Sequence, residues 1–139
     1  MESKDFKHKL KIQIRYKDVD KQGHVNNANH ITYFETARVD YFKSILPKND
    51  WIKTGIILAK TEIDYFEPIF LEDEVFCYTK ITSFGNKSFE ISNIITKTSE
   101  KGEVKCAKGK SVMVCFNYEK QCTIEIPEEW KKAIEVVGI

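Results

Sequence analysis

Asp18-Val19-Asp20-Lys21-Gln22-Gly23-His24-Val25-Asn26-Asn27 places two carboxylates, one glycine, one imidazole and three amides within ten residues. Asp, Asn and Gly are turn residues, so the stretch is a loop. To its left, Leu10, Ile12, Ile14 and Tyr16 alternate with Lys9, Lys11, Gln13 and Arg15. A period of two over residues 10–16 predicts a half-buried strand. Residues 1–8 are a loose polar lead-in. To the right, Ile31, Phe34, Ala37, Tyr41 and Ile45 recur every three or four residues, with Phe42 and Leu46 widening the stripe. That pattern predicts a helix from about Asn29 to Leu46, wrapped by other elements because its apolar face is so broad. Asn26 or Asn27 caps its start and Pro47 stops it. Glu35 and Arg38, three apart, form a structural ion pair along it.

Beyond the helix come four strand-like runs. Residues 56–66 carry Ile57, Ala59, Ile63 and Tyr65 in phase and are bounded by Pro68. Residues 74–84 are rich in β-branched and aromatic types, and Gly85-Asn86 suits a two-residue primed hairpin. Residues 87–98 put Phe89, Ile91 and Ile95 in phase, and Ser99-Glu100-Lys101-Gly102 makes the next turn. Residues 103–118 end with Val112, Val114, Phe116 and Tyr118 alternating, while Lys108 and Lys110 break the pattern. A bulge or bend near Gly109 is expected there. Pro127-Glu128-Glu129 opens a short helix containing Trp130 and Ala133. The order is strand, long helix, then an antiparallel meander of four strands. This is an α+β chain whose five-stranded sheet curls around one long central helix, in a single domain over residues 1–139. One helix covers one face only, so the other meets water or a second subunit, and the aromatic load of 12% favours a dimer.

The totals narrow the function. Of 139 residues 42% are apolar, enough for a core, and 22 Lys+Arg against 21 Asp+Glu leave a net charge of +1. A nucleic-acid binder would carry a basic excess. Only Arg15 and Arg38 are arginines, so bidentate clamps on phosphate are scarce. No apolar run is long enough to span a bilayer. The four cysteines, Cys77, Cys106, Cys115 and Cys122, form no C-x-x-C pair. They read as reduced thiols of a cytoplasmic protein, two or three of them buried, with no metal or disulfide role.

Three readings compete for the loop. Asp18, Asp20, Gln22, Gly23, His24, Asn26 and Asn29 match calcium-loop positions 1, 3, 5, 6, 7, 9 and 12. Against that, Asn29 stands where a bidentate Glu belongs, and a strand precedes the loop. The second reading is a structural turn with a hydrogen-bonded histidine. The third is a carboxylate beside a helix N-terminus, where unpaired N–H groups and the positive dipole end can stabilise an oxyanion. Asp20 would attack an acyl carbonyl or activate a water, and N–H groups around Asn26 and Asn27 would hold the developing charge. A thioester needs no metal or cofactor for this, because a thiolate leaves readily.

Arg15-Tyr16-x-Asp18-x-Asp20-x-x-Gly23-His24-Val25-Asn26-Asn27, continued by Tyr33-Phe34-Glu35-x-Ala37-Arg38, resembles the 4-hydroxybenzoyl-CoA thioesterase type of hotdog-fold acyl-CoA thioesterases. The resemblance implies hydrolysis of an acyl-CoA at a dimer interface, with dimers often pairing into tetramers. It places Asp20 as the catalytic carboxylate, the Asn27 amide as the carbonyl-polarising group and Asp18 as a loop support. It puts His24 in the motif as an orienting or structural residue, Asn26 beside the substrate, and Lys87 near the CoA phosphates. His30 has a structural role only. Gly-His-Val-Asn-Asn looks more like the fatty-acyl enzymes than the benzoyl ones, which carry aromatic residues there. Hydrolysis of acyl-carrier-protein thioesters and a non-catalytic acyl-binding module are the alternatives.

Overall fold

A computed structural model describes residues 1–138. Its elements are β1 (His8–Ile12), α1 (Asn29–Ile45), β2 (Gly55–Tyr65), β3 (Val75–Phe84), β4 (Ser88–Ser99), β5 (Gly102–Asn117), β6 (Cys122–Thr123) and α2 (Glu128–Val137). The sheet is antiparallel, in the order β1-β3-β4-β5-β2, with the two-residue β6 added on β5. It curls around α1 as a hotdog fold, with α1 and α2 on the concave side.

The four-strand meander is therefore corrected. Only β3, β4 and β5 meander; β2 crosses to the far edge and pairs with β5. The two ends of α1 pack against opposite ends of β3, β4 and β5. Phe34, Ala37 and Tyr33 pack with Cys77, Ile95 and Ala107 in one core cluster. Tyr41 and Phe42 pack with Ile81, Phe89, Met113 and the α2 residues Trp130 and Ile134 in the other. Trp130 is fully buried against Phe42, Trp51 and Phe89, and its indole N–H donates to Asn49 Oδ1 at 3.1 Å.

Several local expectations shift. The first strand ends at Ile12 rather than near Tyr16, because residues Tyr16–Asp18 form a 3-10 turn. Asp18 takes the Arg15 N–H at 3.1 Å, and a short side chain that bonds its own backbone competes with a ladder. The lead-in is not loose: Ser3–Asp5 forms a 3-10 turn and Phe6 is buried on the outer face against Tyr78 and Ile94. The helix is covered on one side only, since Ile31 and Val39 are 45% and 51% exposed.

Ala59 is an extra residue between the Leu58–Met113 and Lys60–Val112 pairs of β2 and β5. That bulge reverses the phase, so Ile56 and Ile63 pack on the core while Ile57 turns outward. Val112, Val114 and Phe116 lie half-buried on the outer face; Met113 and Cys115 fill the core instead. The β5 bulge sits at Cys106, between the Ile95–Ala107 and Thr96–Lys105 pairs. Gly109 stays in register, and its missing side chain makes room for Phe34, whose Cζ would lie 2.6 Å from a Cβ there. Neither Gly85 nor Asn86 takes the positive φ of a primed turn; the Gly85 N–H bonds Ser88 O at 2.7 Å, centring the turn on Asn86-Lys87. Cys77, Cys106 and Cys115 are buried and Cys122 is exposed, all as free thiols. No helix among the described residues is long and apolar enough to cross a membrane.

Candidate active site

The loop between the Tyr16–Asp18 turn and α1 is built on Asp18. Its side chain is 1% exposed, and its carboxylate accepts from the Arg15 N–H, from Arg15 Nη2 at 3.1 Å and from the Tyr33 hydroxyl at 2.8 Å. Burial alone would raise this carboxyl; the Arg15 N–H, the Tyr33 hydroxyl and the guanidinium outweigh it and hold it below the usual carboxylate range. The Asp18 carbonyl accepts the Asn26 N–H at 2.9 Å and Asn29 Nδ2 at 3.0 Å, tying the loop's exit and the helix's first residue to its entry. Val19 and Val25 form a bridge across the loop, Gly23 turns it at φ +88°, and the buried Val25 donates its N–H to Ile69 O at 2.7 Å. Apolar Val25 on the core and a glycine at the tip are what let so polar a stretch sit against the sheet.

Asp20 is half-buried at the loop surface. Its Oδ1 accepts the Gln22 N–H at 2.9 Å and its Oδ2 accepts Asn26 Nδ2 at 3.3 Å. Asn26 Oδ1 in turn takes the Ala28 N–H at 2.9 Å, a turn just ahead of the helix; the expected cap by Asn26 or Asn27 is not made, since Ala28 is the N-cap of α1 and no side chain bonds the first helical N–H groups. The Asn27 N–H has no hydrogen-bond acceptor among the described residues, and its carbonyl accepts the His30 N–H at 3.3 Å and the Tyr65 hydroxyl at 3.0 Å. Asp20, Asn26 and Asn27 are thus brought into one turn.

Among the described residues the His24 ring makes no hydrogen bond to the Asp20 carboxylate. Its Nδ1 faces Val25 O at 3.4 Å and its ring meets Phe70 edge-on at 6.4 Å. It walls a depression of about 190 Å3 together with Val25, Asn27, His30, Tyr65 and Glu67. Lys87 is distant: exposed in the β3–β4 turn, with Nζ 3.4 Å from Thr123 Oγ1. Val25 belongs to the core cluster that holds Ile95. Ser88 to Ile95 spans about 23 Å of strand at roughly 3.3 Å per residue, so one chain does not bring Lys87 to the loop. The Glu35–Arg38 pair forms at 3.8 Å with Arg38 buried. The calcium register is not realised, because Asp18, its first position, is committed to Arg15 and Tyr33 in the interior.

Two residues that sequence spacing does not single out complete the surroundings. Tyr65 reaches Asn27 from 38 residues away. His30 is buried with its ring edge-on to Tyr65 at 4.9 Å; burial lowers its pKa, so the imidazole is neutral at physiological pH. Its position one residue inside the helix signals only burial; the Tyr65 contact needed the β2 crossing to be known.

A family model for the thioesterase-like superfamily matches residues 14–134. Among curated relatives, the long-chain acyl-CoA thioesterase FadM of Escherichia coli is 25% identical over 127 residues, covering 89% of this chain and 94% of that protein. Among solved structures, a thioesterase complexed with coenzyme A and Zn from Thermus thermophilus is 34% identical, covers 95% of this chain and 94% of its own, and superposes with a TM-score of 0.82. A mutant of 4-hydroxybenzoyl CoA thioesterase complexed with 4-hydroxybenzoyl CoA shares the fold at a TM-score of 0.82 and 16% identity, covering 91% and 96% of the two chains. With the model spanning the chain from the end of the first strand into the last helix, and that architecture shared over nearly its whole length, the chain belongs to the thioesterase-like superfamily.

Proposed function

We propose that this chain hydrolyses acyl-CoA thioesters to the free acid and CoA. The observation that carries the reading is the Asn27 N–H, which has no acceptor among the described residues and shares one hydrogen-bonded turn with the half-buried carboxylate of Asp20. A thioester carbonyl seated in the depression beside Asn27 would accept that N–H, and the helix N-terminus would stabilise the oxygen as charge develops on it. Asp20 would either attack the carbonyl carbon, forming a mixed anhydride as the C–S bond breaks and CoA thiolate leaves, or take a proton from a water that attacks instead. Asn26 holds the Asp20 carboxylate through its Nδ2 and borders the substrate; His24 walls the carbonyl site. The names of FadM and of the CoA-bound Thermus structure agree with an acyl-CoA substrate.

The site is completed by a second copy. β2 is an edge strand of eleven residues, paired only on its β5 side. Ile57, Leu58 and Tyr65 along it and Phe66 just past its end, with Ile31 and Val39 of α1, are all more than a third exposed, an apolar edge that invites pairing. Antiparallel addition of β2 to its counterpart about a two-fold sets the Gly55 end of one copy against the Tyr65 end of the other. That would bring the partner's cavity of about 510 Å3, lined mainly by apolar residues such as Phe42, Ile56 and Met113 but also by Glu35, Arg38 and Lys43, beside Asp20 and Asn27, to take an acyl chain. The same two-fold carries Lys87 toward the other copy's CoA, and such dimers can pair into tetramers.

A thiol-release assay with short, medium, long, branched and aromatic acyl-CoAs, and with acyl-carrier protein, tests this. Hydrolysis of at least one acyl-CoA, faster than of the carrier-protein thioester, is expected. Silence across the acyl-CoAs overturns the proposal.

A further inference from the structure

Tyr65 closes β2 in phase with Ile63 and pairs with Ala107, so its ring lies on the helix side of the sheet. Its hydroxyl donates to the Asn27 carbonyl at 3.0 Å, and its ring stands edge-on to that of His30 at 4.9 Å. Burial raises the phenol's pKa, so the group keeps its proton and acts as donor. The other restraints on this turn come from the loop and helix themselves: Asn26 N–H to Asp18 O, Ala28 N–H to Asn26 Oδ1, Asn29 N–H to Asn26 O at 2.9 Å, which holds one side of the peptide unit carrying the Asn27 N–H, and His30 N–H to Asn27 O at the longer 3.3 Å. Tyr65 is the tie from the sheet. The Asn27 carbonyl lies in the peptide plane after its Cα and the Asn27 N–H in the plane before it; with the first plane held by Asn29 N–H on Asn26 O, a tie on the second limits how the two can turn about φ and ψ of Asn27. A donor stabilises developing charge only if it is already aimed when the charge appears.

We infer that Tyr65 is a positioning residue for thioester hydrolysis, holding the Asn27 main chain so that its N–H points at the thioester oxygen. This role rests on the proposed part of Asn27 in polarising the carbonyl. It touches no reacting atom. It also couples the site to the β2 edge, where Tyr65 is 44% exposed and where a second copy would add its strand.

Tyr65→Phe in the full-length protein removes the hydroxyl and leaves the ring on His30. The expected result is a kcat lower by about five- to tenfold, the loss of one aimed hydrogen bond. KM for the best acyl-CoA should stay within about twofold, and the melting temperature within about 3 °C. A merely structural hydroxyl would move KM and melting temperature along with kcat, or nothing at all; either outcome overturns the role. Wild type and Asp20→Asn are assayed alongside. A wild type silent on every acyl-CoA overturns the hydrolase proposal and the Tyr65 role with it. An active wild type and a crippled Asp20→Asn, with Tyr65→Phe at full kcat, overturn the Tyr65 role alone.

Discussion

Gly109 is where the sheet admits the helix, and enlarging it should cost stability in a way that depends on one partner. The residue lies in β5 between Asn93 of β4 and Ile63 of β2. A Cβ there would stand 2.6 Å from Phe34 Cζ and 3.1 Å from Phe34 Cδ2. Phe34 is 1% exposed and packs in the cluster that holds Val25, the loop's anchor, so its ring has nowhere to swing. Overpacking of this kind costs about 2 kcal/mol, a fall in melting temperature of about 7 °C for a chain of this size. Phe34→Leu alone should cost about 1 kcal/mol, since volume is nearly kept. It also withdraws the ring from Gly109, so the double variant should be more stable than the sum of the singles by about 1 kcal/mol or more. Urea unfolding followed by far-ultraviolet circular dichroism, compared at constant m, measures all three. Gly109→Ala within about 0.5 kcal/mol of wild type, or an additive double variant, would refute the cradle.

Two further outcomes follow from the site. Asp18→Asn should lose about 2–3 kcal/mol at pH 7, because it weakens charge-assisted hydrogen bonds to a buried group. The folded carboxyl lies below its unfolded value, so its stabilisation is full above about pH 5 and falls as pH drops through the unfolded value toward the folded one; the gap between the urea midpoints of the two proteins should narrow on acidification from about pH 5, and a gap that does not narrow counts against the Arg15–Asp18–Tyr33 set. Lys87→Ala should raise KM for an acyl-CoA about three- to fivefold at unchanged kcat, and leave the same acyl-pantetheine unaffected; an equal change on both substrates removes Lys87 from CoA binding.

What the sequence made legible was local. The helix bounds, the four long strands after it and the Pro127 start of α2 follow from apolar period and breaker residues, which report on one element at a time. The loop's grouping was legible for the same reason: Asp20, Asn26 and Asn27 lie within eight residues, and Asn26 bonds the Asp20 carboxylate directly. What stayed hidden depends on distant partners. The β2 crossing changes no residue pattern inside β2, so a meander and a crossover look alike. The Ala59 bulge reverses a face without any glycine or proline to mark it. Gly109 looked like a kink because a strand glycine announces a close approach, and only the packing shows that what approaches is Phe34. Tyr65 could not be linked to Asn27 until β2 and the end of the loop were set side by side.

The catalytic account stands on Asp20, and one comparison tests it most directly: kcat/KM of Asp20→Asn against wild type on the fastest acyl-CoA, with the melting temperature of both. The isosteric amide can keep Gln22 N–H as donor to its oxygen, so the fold should hold to within about 3 °C, while kcat/KM should fall by about a hundredfold or more. A folded Asp20→Asn that hydrolyses at the wild-type rate would contradict the account.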